Sequence, residues 1–185
     1  MKNHNISTVA ELEAFFEAKV LDIAKKYEIH PMVWQDIFNN GVKLAPEAVI
    51  EVWRGADYKT LKQVVSEGYQ ATMSGFWYLD HLGDIWQTFY EKDIDSAGLT
   101  PAEKKLVIGG EACMWGEHVD ENNWNERVWP RASAVAEVLW SPEDFPKDSD
   151  VALPRLHQWK CRLNRRGINA SPVGRGNFCN PLSTQ

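Results

Sequence analysis

An α/β fold, with parallel strands joined by helical crossovers, is predicted for this 185-residue chain. Three observations predict it. Short β-branched and apolar runs alternate with segments of helical period, the pattern of successive β-α units. Four of the strand-like runs end in tryptophan, at Trp34, Trp53, Trp77 and Trp115. The chain carries nine tryptophans in an otherwise ordinary globular composition, so the strand ends concentrate its most unusual residue.

The elements follow in order. Residues 8–27 are predicted helical, with Ser7 or Thr8 as cap and Leu12, Phe15, Phe16, Val20, Ile23 and Ala24 at helical spacing. A strand is expected at about 32–37, then a turn at Asn39-Asn40-Gly41, then a second strand from Val49 to Trp53. Tyr58 to Glu67 is a helix stopped by Gly68, and a third strand covers about 70–76. A polar and aromatic excursion runs from Asp80 to Leu99. Thr100-Pro101-Ala102-Glu103 has the form of a capped helix start with proline at its first position, and Leu106 to Gly110 is a fourth strand. Glu126 to Leu139 reads as one long helix ended by Ser141-Pro142, and a last helix spans about 151–166 before Gly167.

Each of the four tryptophans falls at the C-terminal end of its strand, the end that carries the active site in a β/α barrel. A full (β/α)8 TIM barrel needs about 200 residues or more, so four strands predict half of one. Such a half exposes two strand edges. The pattern also has a chemical reading. Indole faces stack on the apolar face of a pyranose, and carboxylates and a phenol hydrogen-bond its hydroxyls. The last tryptophan run, Gly109 to Glu117, contains Glu111 and Glu117, and Tyr78 and Asp80 follow Trp77.

A net charge of −6 argues against nucleic acid, which favours a clustered basic surface. No stretch approaches the roughly 20 apolar residues that span a bilayer. Met1 to Asn5 leads into an amphipathic segment and does not read as a signal peptide. Other features point to an oxidising compartment. Cys161 and Cys179 bracket a short polar loop at a spacing suited to a local disulfide. Asn5-Ile6-Ser7 and Asn169-Ala170-Ser171 are glycosylation sequons, the second followed by Pro172. The combination reads as the back half of a secreted protein.

With these residues in place, the chain resembles the C-terminal half of β-N-acetylhexosaminidases of glycoside hydrolase family 20, the animal lysosomal type in particular. The resemblance runs from Val33-Trp34-Gln35-Asp36 to the terminal cysteine pair. Its most specific stretch is Val107 to Glu117 followed by Arg127-Val128-Trp129-Pro130-Arg131-Ala132 and Ala136-Glu137-Val138-Leu139-Trp140. The resemblance implies barrel strands five to eight within residues 1–145, and a helix and disulfide-bearing tail packed on the barrel in residues 146–185. It implies that Trp34, Trp53 and Trp115 line the pocket for a terminal N-acetylhexosamine. Trp77 joins them beside Tyr78, which orients the acetamido group, and Asp80 and Glu117 reach the outer hydroxyls.

The implied reaction is the retaining, substrate-assisted hydrolysis of terminal N-acetylglucosamine or N-acetylgalactosamine from glycoconjugates, in which the acetamido oxygen attacks the anomeric carbon. The family's acid/base Asp-Glu pair follows strand four, and that position is not in this chain. Asp120-Glu121 follows strand eight, in a loop of the family pattern. The expected role is therefore a pocket wall without its general acid. The alternatives are an inactive remnant with weak or no sugar binding, and an independent lectin-like module. No cofactor and no metal are expected. A dimer, a lysosomal or secreted location and glycan substrates are implied by resemblance.

Bland readings are expected for several other residues. Glu111 is expected to be structural, paired with a buried cation or backbone donors, and Cys113 a small core residue. Trp86, Trp124, Trp129, Trp140 and Trp159 are expected in packing, at an interface or on a rim. Arg54 is expected to anchor a carboxylate beneath the pocket. His81 stands where family members differ in tolerating charged 6-substituents.

Overall fold

The computed structural model describes residues 6–176 together with Phe178 and Cys179. Asn5 of the first sequon lies outside the described residues. The chain forms two compact units, one from residues 1–75 and 94–110, the other from residues 76–93 and 111–185.

The first unit holds a parallel four-stranded sheet in the order β1 (Met32–Trp34), β2 (Val49–Val52), β3 (Gln70–Met73), β4 (Val107–Gly110). Val33 pairs with Ile50, Ile50 with Ala71, and Ala71 with Val107. The predicted α/β fold of parallel β-α units is what the chain adopts. Each crossover returns its strand beside the predecessor, including the long connection from β3 to β4 that carries the Asp80–Leu99 excursion. Helix α3 (Tyr58–Ser66) is one of these crossovers. Asp57 caps it by accepting from the Thr60 N–H, and it packs on β2 and β3 with Leu61, Val64 and Val65 buried. Gly68, at φ 89°, ends it in a backbone conformation that suits glycine.

Helix α1 (Val9–Lys26) begins as expected at Thr8, which forms a capping box with Glu11. None of its residues is buried, and Phe16, Val20 and Ile23 of its apolar face stand exposed. The edge strand β4 leaves Ile108 50 % exposed. Its predicted start is one residue early. Strand β1 is shorter than expected, because Gln35 opens a helical turn, α2 (Gln35–Asn39), and β3 ends at Met73 instead of continuing to residue 76.

The second unit is helical: α4 (Trp86–Tyr90), α6 (Trp124–Val128), α7 (Arg131–Trp140) and α8 (Ser149–Arg165); α5 (Pro101–Lys104) belongs to the first unit, with its expected capping box from Thr100. The single helix expected from Glu126 to Leu139 is two helices. Pro130 has no N–H to donate and disfavours helical geometry at Trp129, so the chain breaks there. Helix α8 starts at an Asp148 cap that accepts from Asp150 and Val151, and Gly167 follows its end at φ 81°. The core of this unit gathers Trp86, Tyr90, Ala134, Ala152, Leu156 and Val173. The tail joins that core through the Trp86 indole, which donates to the Val173 carbonyl at 2.7 Å.

Candidate functional site

In the first unit the residues that follow β1 and β2 build a connected polar and aromatic cluster. Gln35 is fully buried, and its side chain is committed on both ends. Its carbonyl oxygen accepts from the backbone N–H groups of Trp53 and Arg54, both at 2.9 Å, and its amide donates to Asp57 Oδ2 at 2.9 Å. Burial pushes the Asp57 carboxyl up, but the hydrogen bonds from Thr60 and Gln35 and the charge of Lys59 together hold it below its ordinary value.

Asp36 grips the next layer. Its Oδ2 accepts from the indole Nε1 of Trp53 at 2.8 Å, and its Oδ1 meets the Arg54 guanidinium. That guanidinium lies over the Trp53 ring, 5.2 Å from its centroid. Trp34 meets Trp53 edge to face, with centroids 6.0 Å apart and planes at 79°. The expected Arg54–carboxylate anchor is present, with Asp36 as its partner. Trp34 is 40 % exposed, so one indole in this cluster offers a stacking face to solvent. Glu51, two residues before Trp53, is buried and accepts from the Thr72 hydroxyl. Gly75 packs so closely on Gly55 that a Cβ there would lie 2.1 Å from the Gly55 carbonyl oxygen.

In the second unit Trp77, Tyr78, Leu79 and Asp80 form one fixed segment. Tyr78 bridges to Cys113 in parallel fashion, with Cys113 N–H donating to the Trp77 carbonyl at 3.0 Å and Leu79 N–H donating to the Cys113 carbonyl at 2.7 Å. Trp77 is an interior residue. It is 1 % exposed, and its indole donates to the Phe89 carbonyl at 3.0 Å. Tyr78 is buried except at its margin and stacks on His81 at 5.6 Å with planes tilted 33°. His81 Nδ1 in turn stands 3.6 Å from Asp84. Asp80 is half-buried, and its Oδ1 is fully enclosed with no hydrogen-bond partner among the described residues.

Trp115 is 45 % exposed and caps a short 3-10 turn, Gly116–His118, that carries Glu117 on the surface. Glu111 departs from expectation. It is exposed, because the chain leaves β4 one residue earlier, and the Cys113 thiol donates to it at 3.6 Å. Cys113 is likewise half-buried and not a core residue. Asp120 and Glu121 sit in an exposed loop, where Asp120 Oδ1 accepts from the Asn122 N–H at 2.8 Å. Of the other tryptophans, Trp86 is buried in the helical core and Trp159 donates to the Ser133 hydroxyl at 2.9 Å, whereas Trp140 is exposed.

The expected disulfide between Cys161 and Cys179 is formed. His157 lies 3.6 Å from the Cys161 sulfur and Lys160 Nζ 3.4 Å from that of Cys179. Among the described residues these are the grouped metal-type donors, but two of the three are oxidised sulfurs and hold no thiolate for a metal. No helix of the described residues is long and apolar enough to cross a membrane.

Residues that sequence reasoning passed over include Gln35, Arg127 and Arg131, whose partners are mainly backbone groups. The sites it named fall in both units. Trp34 and Trp53 meet in the first, and Trp77, Tyr78, Asp80, Trp115 and Glu117 belong to the second.

Comparison with known proteins adds the lineage. The pattern described as "Glycosyl hydrolase family 20, catalytic domain" matches residues 1–143. The chain is 41 % identical over 185 residues to beta-hexosaminidase subunit alpha of Rattus norvegicus, covering 97 % of this chain and 35 % of that protein. It is 43 % identical over 173 residues to beta-hexosaminidase subunit beta of Homo sapiens, covering 92 % and 31 %. It thus spans about a third of the length of the curated relatives it matches. Among solved structures it is similar to the chitobiase of Flavobacterium johnsoniae, with TM-score 0.77 and 32 % identity over 90 % of this chain and 26 % of that one. It also shares the fold of an exo beta-N-acetylglucosaminidase from Vibrio harveyi solved in complex with N-acetylglucosamine, with TM-score 0.79, 19 % identity, and coverage of 95 % and 30 %.

Proposed function

This chain belongs to glycosyl hydrolase family 20, and on that premise we propose that it supplies part of the sugar-binding wall of an exo-β-N-acetylhexosaminidase. Terminal N-acetylglucosamine or N-acetylgalactosamine of a glycan is the substrate in this reading. Trp34, Trp53 and Trp115 give stacking faces, Tyr78 hydrogen-bonds the acetamido oxygen, and Asp80 and Glu117 take the outer hydroxyls. Trp77 supports the wall from the interior, since its ring is buried and its N–H donates to the Phe89 carbonyl.

The observation that carries the proposal is the Trp77–Asp80 segment. It is pinned by main-chain bonds, and it holds a phenol and a carboxylate two residues apart on that fixed backbone. A rigid phenol is also what substrate-assisted hydrolysis asks of the protein. The acetamido oxygen must be held near the anomeric carbon, with little freedom to turn away.

The proton donor for the leaving group lies, in this proposal, outside these 185 residues. Asp120-Glu121 is the adjacent pair in Asp-Glu order, and it occupies an exposed turn bonded to Asn122 and Asn123. Among the described residues, strands β1 and β4 each have a single neighbour within the sheet, which supports a binding wall whose catalytic partner residues come from the rest of a larger barrel. Dimeric assembly and a lysosomal or secreted setting, implied by the family resemblance, extend the same proposal.

The test is direct. The chain alone is expected to show no hydrolysis of a chromogenic N-acetylglucosaminide. Turnover that Tyr78→Phe abolishes would place the full catalytic set inside this chain and overturn the division of labour proposed here.

A further inference from the structure

We propose that Arg131 is the positioning residue for the Tyr78–Asp80 segment, acting through main-chain carbonyls with Arg127 as its companion. The inference rests on the sugar-binding role given to that segment above.

Arg131 stands at the start of α7 and spreads its guanidinium across two turns of backbone. Its Nη2 donates to the Leu79 carbonyl and its Nη1 to the Asp84 carbonyl at 3.2 Å, while its Nε donates to the Arg127 carbonyl at 2.8 Å. Arg127 Nη2 donates to the Asp80 carbonyl at 3.0 Å. The carbonyls of Leu79 and Asp84 bracket the turn that carries Asp80 and His81. Leu79 is therefore held from both sides, its N–H by the Cys113 carbonyl and its C=O by Arg131. Tyr78 precedes that peptide and Asp80 follows it, so a shift of Leu79 moves phenol and carboxylate together.

The guanidinium is itself locked. Its carbon lies 5.6 Å from the Phe89 ring centroid, and the Phe89 carbonyl accepts the Trp77 indole N–H. A loop of contacts thus runs from Arg131 through Phe89 and Trp77 back to Tyr78. Burial and the neighbouring Arg127 charge disfavour the Arg131 cation, and Asp84 and Asp80 partly restore it. Two arginines side by side are an expensive way to cap carbonyls, so the arrangement points to a geometry that needs both. Arginine's planar fork serves several acceptors in fixed directions, whereas the lysine ammonium is a point charge on a flexible stem.

The experiment compares the full 185-residue chain with Arg131→Lys and Arg131→Met. Amide hydrogen exchange is read at residues 77–84, and tryptophan fluorescence is titrated with N-acetylglucosamine and with glucose. Both variants are expected to lose protection at 77–84 alone. They are expected to lose preference for N-acetylglucosamine over glucose by on the order of tenfold, with glucose binding unchanged, because a misplaced phenol costs orientation and not stacking. Unchanged exchange at 77–84 overturns the proposal. So does loss of protection throughout the second unit in Arg131→Lys, or retained sugar preference with protection lost. A wild-type chain that binds neither sugar contradicts the function proposed above, and the exchange at 77–84 then decides the clamp by itself.

Discussion

The indole N–H of Trp53 donates to Asp36 Oδ2 at 2.8 Å, across a gap that separates the end of one strand from the end of the next. The Trp53 ring is thereby held at its edge by a carboxylate, at its face by Arg54, and by Trp34 meeting it edge to face. Stacking surfaces oriented this way lose little freedom when a ligand arrives, which is where pre-organised sites gain affinity. The bond gives the first prediction. Asp36→Ala is expected to shift the Trp53 emission and weaken N-acetylglucosamine binding by about tenfold or more, since a charge-assisted bond is worth about 1.5–3 kcal/mol. Asp36→Asn, which keeps an acceptor at the same place, is expected to retain most of the binding in the same titration.

Gly75 gives the second. A methyl group at this position meets the Gly55 backbone at 2.1 Å, and backbone has no rotamer with which to yield. Gly75→Ala is expected to destabilise the first unit by about 3 kcal/mol, the upper range for overpacking. Urea unfolding measures it, and an unchanged midpoint would show that the two loops separate freely.

The Cys161–Cys179 bond closes a sequence separation of 18 residues and ties down the tail whose Val173 carbonyl takes the Trp86 indole. Cys179→Ser is expected to cost about 3 kcal/mol by loop-closure reasoning. Thermal unfolding of the variant, followed at tryptophan, reads both the lower midpoint and the release of Trp86 from the core.

Alkaline pH supplies a prediction with a definite sign. Burial, joined by the Glu137 carboxylate that accepts from its hydroxyl, raises the Tyr90 phenol from 10.0 to about 12, and Arg155 opposes this in part. The unfolded chain therefore releases this proton before the folded one does. The stabilisation from the protonated phenol is fully present below pH 10 and declines as pH rises from 10 toward 12. Melting temperatures measured across that window are expected to fall less steeply in Tyr90→Phe than in the parent chain.

Much of this organisation is legible in the residues themselves. Strand β2 is a run of β-branched residues between turn signals, so Val49 and Ile50 announce a buried parallel strand. Thr8-x-x-Glu11 and Thr100-Pro101-x-Glu103 announce two helix starts through groups that must reciprocate. Pro130 should have divided the expected 126–139 helix, and the alanine-rich run beyond it masked the break. Other features lie beyond side-chain patterns. Gln35 ends β1 because its partners are the N–H groups of Trp53 and Arg54, and every residue carries such a group. Arg131 is hidden for the same reason, since its acceptors are carbonyls. The interior place of Trp77 depends on the Phe89 carbonyl, in a segment with no regular period to say which way a ring faces.

In the function proposed above, Tyr78 sits in a wall made for an N-acetylated sugar. Its most direct test is a titration of N-acetylglucosamine against the tryptophan fluorescence of the chain and of Tyr78→Phe. A saturable change is expected in the parent chain and markedly weaker binding in the variant, with glucose unaffected by the substitution. No saturable change, or equal affinity in the two proteins, would contradict it.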